Sequence, residues 1–180
     1  HQKKSVFTNN DKQPMKYTLE VCSGDIDSAM AAKRGGANRI ELCSALSEGG
    51  ITPSAGLAAE ACTLGLTVHA LIRPRGGDFL YSPAEVRTMV TDIRMLRQLG
   101  VDGVVIGCLT EDGDIDIEAC RRLVDAAGDI NITFHRAFDR CRCPEEALEQ
   151  IIELGCNRIL TSGQQSTAVE GISLLTSLVK

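Results

Sequence analysis

Residues 34–43 read RGGANRIELC, and this stretch indicates how the chain folds. Glycines end a helical pattern, a short polar turn follows, and a run suited to a β-strand begins. The same arrangement returns as QLGVDGVVIG at 98–107 and ELGCNRILTSG at 153–163, with weaker copies at 63–72 and 126–135. Glycine stops each helix because it adopts the left-handed conformation without steric cost. A strand and a helix repeating every ~30 residues predict a series of βα units.

Six such units are expected. Strictly alternating strands and helices favour a parallel sheet, either open and doubly wound or closed as a barrel. The end of the first strand and the turn after it read EVCSGDIDS (20–28). This stretch is not a glycine-rich dinucleotide fingerprint, which disfavours the doubly wound fold. We therefore predict an α/β fold of the (β/α)8 TIM-barrel family, truncated to about six units, with the first and sixth strands unpaired with each other. The predicted strands are 18–22, 38–43, 67–72, 103–107, 131–135 and 158–162, and the predicted helices are 26–35, 54–64, 84–99, 116–127, 144–154 and 166–179.

Composition narrows the function classes. The 180 residues are 43% hydrophobic and 24% charged, as expected of one globular domain, and a net charge of −5 argues against a basic nucleic-acid surface. No apolar run approaches the ~18 residues of a membrane span. Residues 1–15 lack the apolar centre of a signal peptide, so they are predicted to be a tag remnant or disordered tail before an incomplete barrel at 16–180. Six of the eight cysteines are spread singly along the chain and no secretory signal is present, which indicates reduced thiols in the cytoplasm.

One face of the predicted strands is unusually polar. Ile40 and Leu42 must face the helices, because successive strand residues point to opposite sides of a sheet. The other face then meets the barrel interior, which branched apolar side chains normally fill. Here it carries charged, polar and thiol groups instead, and we predict a polar constellation across the strands. Its members are Glu20, Cys22, Arg39, Glu41, Cys43, His69, Arg73, Thr133 and His135.

Several of these residues suit catalysis or anion binding, and each also has a structural interpretation. Arg39 could pair with Glu20 or Glu41 in an ion pair without chemistry, and His69 could be a core histidine. Asp139 could cap the following helix, and the arginines around Pro74 could lie in a solvated loop. The catalytic candidates are Glu20, Glu41, His135 and Asp139, and the anion-binding candidates are Arg39, Arg73, Arg75, Thr161 and Ser162.

Cys22 and Cys43 end neighbouring strands on the same face. Adjacent strands lie about 4.8 Å apart, so both sulfurs could reach one ion. Two thiolates select Cu(I) over hard cations, although two inert buried thiols would show the same spacing. Cys141 and Cys143 form a second C-x-C pair that could bind a soft metal.

The sequence blocks that carry these residues resemble the CutC family of copper homeostasis proteins. They are LEVCSGDIDSA (19–29), GGANRIELCSALSEGGITPS (35–54), IRPRGGDFLYS (72–82), LTEDGDID (109–116), TFHRAFD (133–139) and RILTSG (158–163), and the resemblance covers 16–180. It implies a cytoplasmic (β/α)8 barrel, often a homodimer or larger, linked to copper tolerance. It also implies that Cys22 and Cys43 match the two cysteines proposed to hold Cu(I).

The sequence therefore predicts a cytosolic copper homeostasis protein that binds Cu(I) through Cys22 and Cys43. The expected partners are the copper ion and further copies of the chain, with neither nucleic acid nor membrane. The alternative is a barrel enzyme of unassigned reaction that acts on a small anionic substrate, phosphorylated or not. In that case Glu20 or Glu41 and His135 would be acid and base, and Arg73 and Arg75 would clamp the anion.

Overall fold

The computed structural model describes residues 17–179, so the predicted tail at 1–15 lies outside the described residues. Six strands alternate with six α-helices. The strands are β1 (Glu20–Ser23), β2 (Arg39–Leu42), β3 (Thr67–Leu71), β4 (Gly103–Ile106), β5 (Asn131–Phe134) and β6 (Arg158–Ile159). The helices are α1 (Ile26–Arg34), α2 (Ala55–Cys62), α3 (Pro83–Gln98), α4 (Ile117–Ala127), α5 (Pro144–Glu153) and α6 (Ile172–Leu178).

The strands form one parallel sheet in the order β1-β2-β3-β4-β5-β6. In the register of the first three strands, Cys22 lies beside Glu41, and Glu41 lies beside His69. Within residues 17–179, β1 and β6 are not paired with each other. The prediction of a truncated TIM-barrel fold is confirmed. Association with further copies stays a prediction.

Polar residues in the turns between helix and strand explain why the sequence repeats. In every second unit, an Asn or Asp stands directly before the strand. Its side-chain oxygen accepts a backbone N–H near the start of the preceding strand. This bond satisfies a backbone group at the edge of the sheet and aligns two neighbouring strands. The pairs are Asn38 with Leu19 (2.9 Å), Asp102 with Val68 (2.8 Å) and Asn157 with Ile132 (2.8 Å).

The two faces of the sheet differ as the residue alternation predicts. Ile40 and Leu42 are fully buried in the main apolar core, which lies between the sheet and the helices. On the inner face, a small separate cluster contains Cys43, Leu71 and Val105. The prediction that Arg39, Glu41 and Cys43 share the inner face is confirmed.

Helices α1 to α4 each begin directly after a residue whose side chain caps them, whereas α5 begins at Pro144 and α6 after Gly171 without a side-chain cap. Ser82 and Glu85 form a reciprocal capping box around Pro83 at the start of α3, as the sequence indicates. The sixth helix begins at Ile172, whereas the pattern predicts a start at 166. Residues 163–171 form turns instead, in which Glu170 accepts from both the backbone and the hydroxyl of Thr167. In residues 17–179, no helix combines the length and the apolar character needed to cross a membrane.

Candidate functional site

Two thiols lie side by side at one end of the inner sheet face. Cys22 is in β1 and Cys43 directly follows β2, and their Sγ atoms are 3.8 Å apart. Cys43 is buried, and its thiol approaches the carbonyl oxygen of Ser23 at 3.7 Å. Cys22 is exposed, and its Sγ lies 3.9 Å from Oε1 of Glu41. The structure therefore brings together the two cysteines that the sequence predicts as metal ligands.

The proton balance of this thiol pair is asymmetric. The hydrogen bond between the two sulfurs lowers the pKa of Cys43 and raises that of Cys22. Of the two thiols, Cys43 therefore loses its proton more readily and Cys22 less readily. Among residues 17–179, no group of three or more His, Cys, Asp or Glu side chains is arranged to hold a metal ion. A metal at this place would therefore have two sulfur ligands.

Arg39 forms an ion pair with Glu20, which settles which of the two neighbouring glutamates takes its guanidinium. The two side chains are 15% and 23% exposed. Within residues 17–179, Glu41 forms no salt bridge and its buried Oε2 has no hydrogen-bond partner. Burial, with the negative charge of Glu20 added, raises the pKa of Glu41 to about 7. Arg39 thus directs its Nε to a carboxylate of the protein itself.

Replacing Arg39 with methionine should lower the free energy of unfolding by about 2 kcal/mol, because Glu20 would remain largely buried without its cation. The measurement is urea unfolding of the reduced protein. Adding Glu20→Gln should recover part of the loss, because it removes the stranded charge. The control is Arg87→Met, which changes an exposed arginine on α3. A loss no greater than that of the control would contradict the structural role of this ion pair.

His69 behaves as a core histidine. It is 1% exposed, and Nη2 of Arg158 lies 3.2 Å from its Nδ1. Burial and the charge of Arg158 lower its pKa to about 4, so the ring is neutral near pH 7. A β-carbon at Gly103 would lie 2.8 Å from its Nε2, which explains why β4 has glycine at this position.

His135 directly follows β5 and is 5% exposed. Its Nδ1 accepts the backbone N–H of Ala137 at 3.1 Å, whereas its buried Nε2 has no partner in the part of the chain that the structure describes. Burial and the nearby charge of Arg73 lower its pKa to about 3. The ring lies against Gly107, where a β-carbon would come within 2.4 Å of Cε1. A neutral histidine with a fixed tautomer therefore stands at the predicted catalytic position.

The two arginines around Pro74 do not form a clamp. Arg73 is 7% exposed and turns inward, where it donates to the carbonyl oxygens of Glu48 (2.9 Å), Gly50 (2.9 Å) and Gly77 (2.8 Å). Arg75 instead turns towards α3. Its guanidinium donates to the side chains of Glu85 (2.6 Å) and Asp78 (3.0 Å) and to the carbonyl oxygen of Leu80 (2.8 Å). The structure leaves Arg73 beside His135 and commits Arg75 to its own loop.

Asp139, Thr161 and Ser162 form a separate network. Oδ1 of Asp139 accepts from the Thr161 hydroxyl at 2.5 Å, and both carboxylate oxygens lie 3.2 Å from the Ser162 N–H. Arg136 Nε donates to the same carboxylate at 2.7 Å. Burial opposes ionisation of Asp139, but the hydrogen bonds from Thr161 and Arg136 outweigh it, so its pKa is lowered. The turn that resembles a phosphate grip thus holds a carboxylate of the protein itself.

The C-x-C motif does not resemble the Cys22–Cys43 pair. Cys141 is buried and accepts from the side-chain amide of Gln164 at 3.4 Å, and burial raises its pKa to about 11. Cys143 is exposed. The two thiols therefore lie in different environments.

Two residues that shape the inner face, Phe79 and Arg158, were not among the predicted site residues. Phe79 packs against His135 with ring centroids 4.9 Å apart, and the Arg73 guanidinium lies 5.2 Å from the Phe79 ring. Arg158 reaches both His69 and the hydroxyl of Thr133. The GGDF segment could have pointed to Phe79, because glycines beside an aromatic residue allow a loop to fold over a site.

Comparisons with known proteins agree with this architecture. The sequence model of the CutC family matches residues 17–180. A family protein CutC from Bacteroides thetaiotaomicron is 60% identical over 165 residues, which cover 91% of this chain and 66% of that relative. One from Parabacteroides distasonis is 55% identical over 168 residues, 92% of this chain and 69% of its own length. The chain thus spans about two thirds of the length of these curated relatives.

Solved structures give the same result. A CutC protein from Streptococcus agalactiae, whose name refers to copper homeostasis, superimposes on this chain with a TM-score of 0.86 at 34% sequence identity. The superposition covers 90% of this chain and 81% of that protein's chain. A phosphonopyruvate hydrolase superimposes with a TM-score of 0.64 at 16% sequence identity, over 91% of this chain and 64% of the hydrolase chain. At this identity the match shows a similar fold and nothing more. With a family model matched over 17–180 and this agreement in sequence and structure, the chain belongs to the CutC family.

Proposed function

We propose that the chain acts in copper homeostasis by binding one Cu(I) ion between Cys22 and Cys43. The observation that carries this proposal is the 3.8 Å separation of the two Sγ atoms. Thiolates are the soft ligands that Cu(I) prefers. A structural zinc site needs four ligands, and residues 17–179 present no larger donor cluster here. A two-sulfur site therefore fits Cu(I) better than zinc.

The surroundings of the pair support uptake and release of an ion. Cys22 is exposed and offers an entry route, whereas Cys43 is buried and shields the ion from one side. The lowered pKa of Cys43 favours loss of its proton, and a bound ion would displace the proton of Cys22 as well. All eight cysteines are free thiols, which suits the reducing cytoplasm. We propose that the protein works there and contributes to copper tolerance.

Titration of the reduced protein with Cu(I) under anaerobic conditions should give about one bound ion per chain, with the ultraviolet absorption of copper–thiolate bonds. Cys22→Ser and Cys43→Ser should each abolish this absorption, because one sulfur alone does not retain the ion against a competing chelator. The matched control is Cys62→Ser, which removes a partly buried thiol outside the pair. Unchanged binding in the Cys22→Ser, Cys43→Ser double variant would refute the assignment.

A further inference from the structure

A small cavity lies near the carboxyl ends of the strands, beside the thiol pair. Its volume is about 130 Å³. Its walls combine apolar side chains with an acid, an imidazole and two guanidinium groups, a mixture typical of ligand sites. One of the two guanidinium groups, that of Arg136, is bonded to Asp139 and Ser162. The residues that matter for the argument are Glu41, Leu71, Arg73, Phe79, His135 and Leu160.

Unsatisfied polar atoms concentrate at this cavity. Among residues 17–179, four buried side-chain nitrogen or oxygen atoms lack a hydrogen-bond partner: Glu41 Oε2, Arg73 Nε, His135 Nε2 and the Tyr81 hydroxyl. The first three belong to residues that line this cavity. A buried polar atom without a partner costs stability, so such atoms are rare and need a reason. A bound polar molecule would supply the missing partners.

Arg73 brings a positive charge to the cavity without a counter-ion. Its two terminal nitrogens are taken up by backbone carbonyl oxygens, which are dipoles and carry no net charge. Among the ion pairs of residues 17–179 there is none to Arg73. A buried cation without an anion is unfavourable. An anionic ligand would neutralise it, and the Nε–H is the donor that remains for that ligand.

His135 contributes a second donor of fixed direction. Because Nδ1 accepts the Ala137 N–H, the proton of the neutral ring lies on Nε2. The ring cannot turn freely, since it lies against Gly107 on one side and Phe79 on the other. The cavity therefore presents two N–H donors, from Arg73 and His135, and one acceptor oxygen, from Glu41.

We infer that this cavity binds a small 2-hydroxycarboxylate, whose carboxylate accepts from Arg73 Nε and His135 Nε2 and whose hydroxyl donates to Glu41 Oε2. The size agrees, since the cavity of about 130 Å³ is several times the ~10–15 Å³ that one water molecule needs on this measure, and the simplest 2-hydroxycarboxylate is a small molecule. Leu71 and Phe79 provide an apolar wall for the carbon atoms. A phosphate dianion fits less well, because it would place its second charge near the Glu41 carboxylate.

The test uses copper-free, reduced protein labelled with ¹⁵N-histidine, so its outcome does not depend on Cu(I) binding. Titration with glycolate should shift the His135 Nε2 resonance in a saturable way, with a dissociation constant on the order of 1 mM, as a five-atom ligand allows. Acetate, which lacks the hydroxyl, should bind about tenfold weaker, the effect of one lost hydrogen bond to a charged group. The His69 resonance should stay unchanged, because His69 does not line the cavity.

Three variants complete the experiment. His135→Phe should lose at least tenfold in glycolate affinity, and Glu41→Met should make glycolate and acetate bind equally. Arg140→Gln, which removes an exposed arginine outside the cavity, should leave binding unchanged. If His135→Phe does not fold, the relative affinities of the unaltered protein for glycolate, acetate and inorganic phosphate still test the inference. No saturable shift, or tighter binding of phosphate than of glycolate, would overturn the inference.

Discussion

Replacing Asp139 with alanine should lower the free energy of unfolding by about 4 kcal/mol. The carboxylate is 7% exposed and joins two segments of the chain, because it accepts from Thr161, from the Ser162 N–H and from Arg136. Without it, the buried Ser162 N–H and the partly buried Thr161 hydroxyl would lose their acceptor, whereas the half-exposed Arg136 could turn to water. The loop after β6 should then detach from the short 3₁₀ helix Arg136–Arg140 that carries Asp139.

Urea unfolding at pH 7 measures this loss, with Asp112→Ala, an exposed aspartate with no comparable hydrogen bonds, as the matched control. The lowered pKa of Asp139 adds a pH dependence of known sign. Its contribution is fully present above the pKa of an unfolded aspartate and is lost as the pH falls through the lower folded value. The native protein should therefore lose stability in acid faster than Asp139→Ala does. A variant as stable as the Asp112→Ala control would contradict this role.

Glu41→Gln should raise the free energy of unfolding of the copper-free protein by up to about 3 kcal/mol above pH 7. The pKa of Glu41 is raised to about 7 from an ordinary value of 4.5, first by burial and then by Glu20. A folded pKa above the unfolded one means that the native protein loses stability as the pH rises from about 4.5 to about 7. Glutamine carries no charge and removes that loss.

Unfolding midpoints of both proteins across pH 4 to 9 would show the effect as curves that meet near pH 4.5 and separate above it. Glu149→Gln, which changes an exposed glutamate on α5, should follow the native curve throughout. Parallel curves for the native protein and Glu41→Gln would show that Glu41 is not held in a charge-disfavouring environment.

Much of the fold can be predicted from local sequence, because its signals repeat. Helix-ending glycines and capping residues such as Ser82 act within a few residues of their own position. The start of α6 could not be predicted in this way. It depends on Thr167 and Glu170, which form a turn of their own, and on Asp139, which holds the start of the same loop from another part of the chain.

The site shows the same division. The sequence alone determined which face of each strand a side chain occupies, since alternation is fixed by backbone geometry, and so it placed Cys22 and Cys43 on one face. Only the tertiary structure decided the partners. Arg39 forms its ion pair with Glu20 rather than with Glu41. Arg73 lines the cavity beside His135, whereas Arg75 forms an ion pair with a glutamate of α3. The physical reason is that partner choice depends on distances between segments far apart in the chain, which spacing within one segment does not encode.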